Sequence, residues 1–366
     1  YGDQRDLHSF PTRRSSDLME FQKYMNKAAI WFVLCFAVFG LSGYVAFSQQ
    51  DSAIASLSGS IDSLEQQKFN FRDGETHFYS KPRAFEFVRY VPRDIYEFAK
   101  YSVRKESLPY LGEIMISTAV FIAADQTITD ATVQASNHFG IDRERKFKKA
   151  IGFKLGDMQV DALEIPDNLN TVFYFLGEGW PTLAIAGGML AHGAIKKDYR
   201  SLRVASMIAE SYVAMGLTVQ FFKRITGRES PFVASRDGGE WKLFPNPKDY
   251  QAHVPQHDAF PSGHCATVMS TITILSGAYP EHAWIGPVGY SALGLICLSM
   301  INNEVHWISD YPLAIGIGYA YGKVVLARNR KISVNKNTDK AFFKYRQISP
   351  VYYGNGIAGL TARFGF

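Results

Sequence analysis

From Leu111 onward, long apolar segments recur between polar loops, at 111–125, 171–195, 201–222, 264–279, 283–302 and 308–327. Each is long enough for a helix, and none shows the period-two alternation of a half-buried strand. Helices of this kind bury their apolar faces against one another around a shared core. The expected fold class is therefore all-α: a helical bundle of about six core helices with a wrapped N-terminal segment and a short extended C-terminal tail. Several segments are long enough to cross a bilayer. Glu178 and Glu210 fall inside two of them, and a carboxylate is costly in hydrocarbon. That favours a soluble or membrane-resting bundle, as does a mean hydropathy of −0.09.

The flanks divide the chain further. Residues 1–18 carry no apolar periodicity and read as a leader foreign to the fold. Residues 19–48 read as a signal peptide or an anchor: Lys23 and Lys27 precede an apolar run, and Ala46-Phe47-Ser48 fits a small-x-small cleavage site. Cleavage is the favoured version and implies export to the periplasm or cell envelope. Residues 49–109, interrupted by Pro82, Pro92 and Pro109, read as short helices and loops wrapped around a main domain at 110–327. A basic tail, 328–366, ends in an alternating stretch read as one docked or extended strand. The formal charge of +5 forms no long basic block and gives no reason to expect nucleic acid. Of three cysteines, Cys35 would leave with the signal; Cys265 and Cys297 read as free core thiols.

Three short stretches carry chemistry. In "AFPSGHCATVMS", residues 259–270, Ser262, Gly263 and His264 stand at the mouth of a helix. The first N–H groups of a helix lack internal partners and the dipole favours an anion, so a phosphate fits there. Pro261 and Ser262 would equally well just start and cap the helix. In "SMINNEVHWISDYP", residues 299–312, His306 and Asp310 are four apart and would share a helix face. An aspartate on one imidazole nitrogen leaves the other free as a nucleophile; a surface His-Asp pair is the plainer alternative. In "FFKRITGRESPF", residues 221–232, Lys223 either neutralises phosphate oxygens or caps a helix end. His253, His257 and His264 share one loop without a matching carboxylate set, so no metal and no cofactor are expected.

Taken in order, these stretches resemble the type 2 phosphatidic acid phosphatase superfamily, which also contains vanadium haloperoxidases and bacterial acid phosphatases. Its signature is Lys-x6-Arg-Pro, Pro-Ser-Gly-His and Ser-Arg-x5-His-x3-Asp. The chain carries the first from Lys223 to Pro231, the second complete at Pro261 to His264, and the third from Ser299 to Asp310. The resemblance implies that His306 attacks phosphorus to form a phosphohistidine, Asp310 orients it and His264 protonates the leaving oxygen. It implies that Lys223, Ser262 and the Gly263 amide bind phosphoryl oxygens. Two arginines are missing: Ser230 and Met300 stand in their places. Neither replaces a bidentate guanidinium in kind. Arg228, two residues before Ser230, is the expected substitute, with Arg224 and Arg236 as weaker candidates.

The resulting expectation is an exported phosphomonoesterase that hydrolyses a lipid phosphate or diphosphate at a membrane surface. The alternatives are a soluble acid phosphatase of the same fold that takes small phosphate esters, and a silent phosphate-binding relative.

Overall fold

The computed structural model describes residues 65–71, 74–155, 158–334, 346–353 and 357–364. The expected leader and signal or anchor at 1–48 lie outside the described residues. The helices are α1 (Glu86–Ser102), α2 (Leu108–Phe139), α3 (Leu169–Gly177), α4 (Gly179–Lys196), α5 (Tyr199–Thr226), α6 (Pro247–Ala252), α7 (Gly263–Ala278), α8 (Ile285–Asn302) and α9 (Tyr311–Asn329). The strands are β1 (Gln66–Asn70), β2 (Glu75–Ser80), β3 (Phe147–Leu155), β4 (Met158–Pro166), β5 (Lys331–Val334), β6 (Arg346–Tyr353) and β7 (Ile357–Phe364). The all-α expectation holds for the body of the molecule, in which α7 packs against α9, α5 and α8.

The main core joins α7 to its neighbours. Cys265, Ala266, Met269 and Ile272 of α7 meet Ala214, Met215 and Val219 of α5, Leu293, Ile296 and Met300 of α8, and Ala314, Ile317 and Tyr321 of α9. Burying each of the larger side chains contributes on the order of 1.5–3 kcal/mol. A second cluster around Val204, Met207, Ile274 and Val325 continues this core toward the other end of α7. Cys265 and Cys297 are free thiols whose sulfurs lie 2.8 Å apart between α7 and α8.

Five expectations change. The apolar run 171–195 is two helices, α3 and α4, because Glu178 is extended (ψ 164°). Pro181 has no N–H to give Gly177, so a continuous helix would lose that bond. Glu178 is therefore not inside a helix, whereas Glu210 is, 1% exposed and paired with Arg328. The segment 111–125 is only part of α2, which runs 32 residues. The N-terminal wrap contains an antiparallel β1–β2 hairpin, extended by β5, and a 17-residue helix with Pro92 inside it. A β3–β4 hairpin was not expected at all, and the C-terminal stretch is a β6–β7 hairpin rather than one strand.

Candidate active site

Helix α5 ends where the first motif begins. Gly227 adopts a left-handed conformation (φ 52°) and donates its N–H to Lys223 O at 3.0 Å. A Cβ there would collide with Lys242 O, so only glycine lets the loop 228–242 fold back on the helix end. The Lys223 side chain does not cap the helix. It turns inward, 7% exposed, and its Nζ lies 3.2 Å from Asp258 Oδ2. Thr226 Oγ1 donates to Phe260 O at 3.0 Å, and Ala259 N donates to Arg228 O at 3.0 Å, which fastens the first motif to the second.

The second motif enters α7 as its cap. Ser262 Oγ accepts from Cys265 N at 3.4 Å, and Ser262 N donates to Asp310 O at 3.1 Å. The capping role is therefore real, and Ser262 is fully buried with its hydroxyl 4.0 Å from Met300 Sδ. Among the described residues, the N–H groups of Gly263 and His264 take no protein acceptor. A Cβ on Gly263 would meet only Val219 at 3.8 Å, so the glycine keeps open space rather than a tight packing contact.

His306 and Asp310 do meet, though not on one helix face. His306 precedes, and Asp310 ends, a single 3-10 turn, Ile308–Asp310, that feeds α9. Pro312, in the first turn of α9, has no N–H to give Ile308, so an α-helix cannot run back through His306. Asp310 Oδ2 accepts from Trp307 N at 2.8 Å and lies 3.2 Å from His306 Nδ1. With Nδ1–H given to the carboxylate, the Nε2 lone pair is free. The His264 ring stands 6.0 Å from the His306 ring, edge to face.

Arg228 is not where the sequence expectation put it. It is fully buried behind Asp310 rather than aimed at a phosphate. Nη1 donates to Ser309 Oγ and Asp310 Oδ1, both at 2.6 Å; Nη2 donates to Asp125 Oδ2 at 2.5 Å and Gly238 O at 2.8 Å. Trp241 and Trp307 cover the guanidinium, with ring centroids 4.6 and 5.4 Å away. Two carboxylates and two π faces hold it, so it fixes the carboxylate that fixes the histidine. The positions of the missing arginines are closed as well: Met300 is fully buried and Ser230 is 2% exposed.

Several residues of the site were missed from sequence. Asp125, on α2, accepts from Ser309 N at 3.1 Å and Ser309 Oγ at 2.6 Å. A lone carboxylate at the end of an apolar segment was the available signal. Tyr174 packs 5.2 Å from the His264 ring and accepts from Arg145 Nη1 at 3.2 Å. No local pattern marked either residue. Burial first, and then the positive fields of His306, Lys223 and Arg145, push the His264 imidazole down to about 3. That shift favours the neutral imidazole. His253 and His257 both face Asp249, at 2.9 and 3.0 Å, and stand apart from this group.

Residues 204–332, which hold all three motifs, match the family model of the PAP2 superfamily. The crystal structure of a transmembrane PAP2-type phosphatidylglycerolphosphate phosphatase from Bacillus subtilis is similar at 13% identity with a TM-score of 0.35, over 66% of this chain and 94% of that one. No curated protein matches the chain.

Proposed function

We propose that this protein is a phosphatase that hydrolyses a phosphate or diphosphate ester of a lipid through a phosphohistidine. The observation that carries the reading is the buried Asp310–His306 pair facing His264 across 6.0 Å. His306 Nε2 attacks phosphorus as the P–O bond to the alcohol breaks. His264, neutral at rest, takes up a proton as the anion enters and gives it to the leaving oxygen. The same imidazole then accepts a proton from the water that cleaves the P–N bond. Lys223 and the free Gly263 and His264 N–H groups supply donors for the oxygens that gain charge. Arg228 and the Trp307 N–H hold both oxygens of Asp310, which keeps the carboxylate in place beside His306 Nδ1.

A lipid substrate is supported by the outside of the bundle. Helices α2, α5 and α8 are long and apolar enough to cross a membrane. They expose Met115, Ile116, Leu217, Phe221, Val288 and Leu295. Apolar side chains in open view on long helices suit lipid contact better than water. On this reading the protein sits in the cell envelope, with the site at one end of the bundle. The test is phosphate release by purified protein from a lipid phosphate in mixed micelles and from a soluble aryl phosphate. The lipid should be strongly preferred, and His306→Ala should abolish both reactions. Turnover that survives His306→Ala, or equal use of both esters, contradicts the reading.

A further inference from the structure

The two arginine positions of the motifs hold Ser230 and Met300, and Arg228 is committed to Asp125 and Asp310. A phosphoryl group carrying up to two negative charges would then meet one cation, Lys223, which already faces Asp258. The cations around the site differ in one respect. Arg143 pairs with Glu304, Lys146 with Asp142, Lys223 with Asp258 and Arg228 with two aspartates. Among the described residues Arg145 has no carboxylate partner: its one hydrogen bond is to the Tyr174 hydroxyl.

Arg145 is also held in place. Asn168 Nδ2 donates to Glu144 O at 2.9 Å, Lys146 N donates to Thr171 Oγ1 at 3.1 Å, and Asp167 N donates to Lys146 O at 2.8 Å. The residues on both sides of Arg145 are thereby pinned to the start of α3. The Arg143–Glu304 pair ties the same loop to the segment just before His306. The exposed Arg145 guanidinium rests 5.2 Å from the Tyr174 ring centroid, and that ring lies 5.2 Å from His264. Its charge is felt at His264. An arginine has five N–H donors, so four remain for a ligand.

We propose that Arg145 binds the non-bridging oxygens of the phosphate being transferred, in place of the guanidiniums absent at 230 and 300. This rests on the phosphatase reading and supplies the anion clamp which that reading lacks. A planar fork on a pinned loop beside the general acid is suited to oxygens that gain charge as the P–O bond opens. The Tyr174 hydroxyl holds one N–H of the fork and so fixes its direction.

The test uses the purified full-length chain and two variants, Arg145→Met and Arg145→Lys. Calorimetric titration with inorganic phosphate reads binding without turnover; phosphate release from a lipid monophosphate and a lipid diphosphate reads catalysis. Arg145→Met should melt as wild type does. It should weaken phosphate about ten- to a hundredfold, the size of one charge-assisted contact, and lower kcat/KM for both esters by a similar factor. Arg145→Lys should fall between the two. Phosphate affinity within twofold of wild type in the folded Met variant overturns the proposal. So does a loss confined to the diphosphate, which would put Arg145 on a distal group. If wild type binds phosphate but cleaves no ester, the phosphatase reading fails, while the titration still decides the role of Arg145.

Discussion

Removing the Arg228 side chain separates two accounts of that residue. From sequence it would clamp phosphate; in the structure it neutralises a buried carboxylate pair. Arg228→Met keeps the volume and removes the charge. It leaves Asp125 and Asp310 both fully buried with no cation between them, and four hydrogen bonds lose their donor. Breaking a buried ion pair from one side costs about 3–5 kcal/mol. This site should fall at the upper end, because one guanidinium serves two carboxylates. Adding Asp125→Asn removes one stranded charge and should return about 1–2 kcal/mol, since the remaining Asp310 still lacks its partner. Chemical denaturation of the purified protein measures both variants. A folded Arg228→Met that keeps wild-type stability but loses phosphate binding would refute the buttress and restore the clamp.

Other outcomes follow from the same contacts. Since the folded state holds His264 down at about 3 and the unfolded imidazole titrates near about 6.5, the unfolded chain binds the extra proton between those values, so stability should fall as pH falls from about 6.5 toward 3. Melts at stepped pH should lose that slope in His264→Gln, and phosphate should flatten it in wild type. Gly227→Ala, which forces a left-handed alanine against Lys242 O, should destabilise the protein by at least about 1–2 kcal/mol and slacken the first motif. Met300→Arg places a charge at a fully buried position beside Ser262 and should lower the melting temperature, with phosphate recovering part of the loss; no recovery would mean that position 300 does not face the anion.

The helical bundle was legible because long apolar segments leave few other solutions, and the grouping of His264, His306 and Asp310 because three motifs keep their order. Their geometry was less so. The four-residue spacing of His306 and Asp310 suggested a helix face, but Pro312 turns that stretch into a 3-10 corner, and the two side chains meet there all the same. The β2–β5 pairing was not legible because its partners lie far apart in the sequence, from Glu75 to Val334. Arg228 was misassigned because nothing local shows that Asp125, from another helix, waits beside it. Position 145 is a similar case: one of several cations in a basic stretch, it stands out only once the partners of the others are known.

The central claim is that His306 is the nucleophile. Its most direct test is rapid quenching of wild-type protein with a 32P-labelled lipid phosphate, under conditions that preserve acid-labile bonds, followed by peptide mapping. The account predicts one labelled peptide, alkali-stable and acid-labile, with the phosphoryl group on His306, and no label in His306→Ala. Label on another residue, or steady turnover with no covalent phosphoenzyme at any quench time, would contradict it.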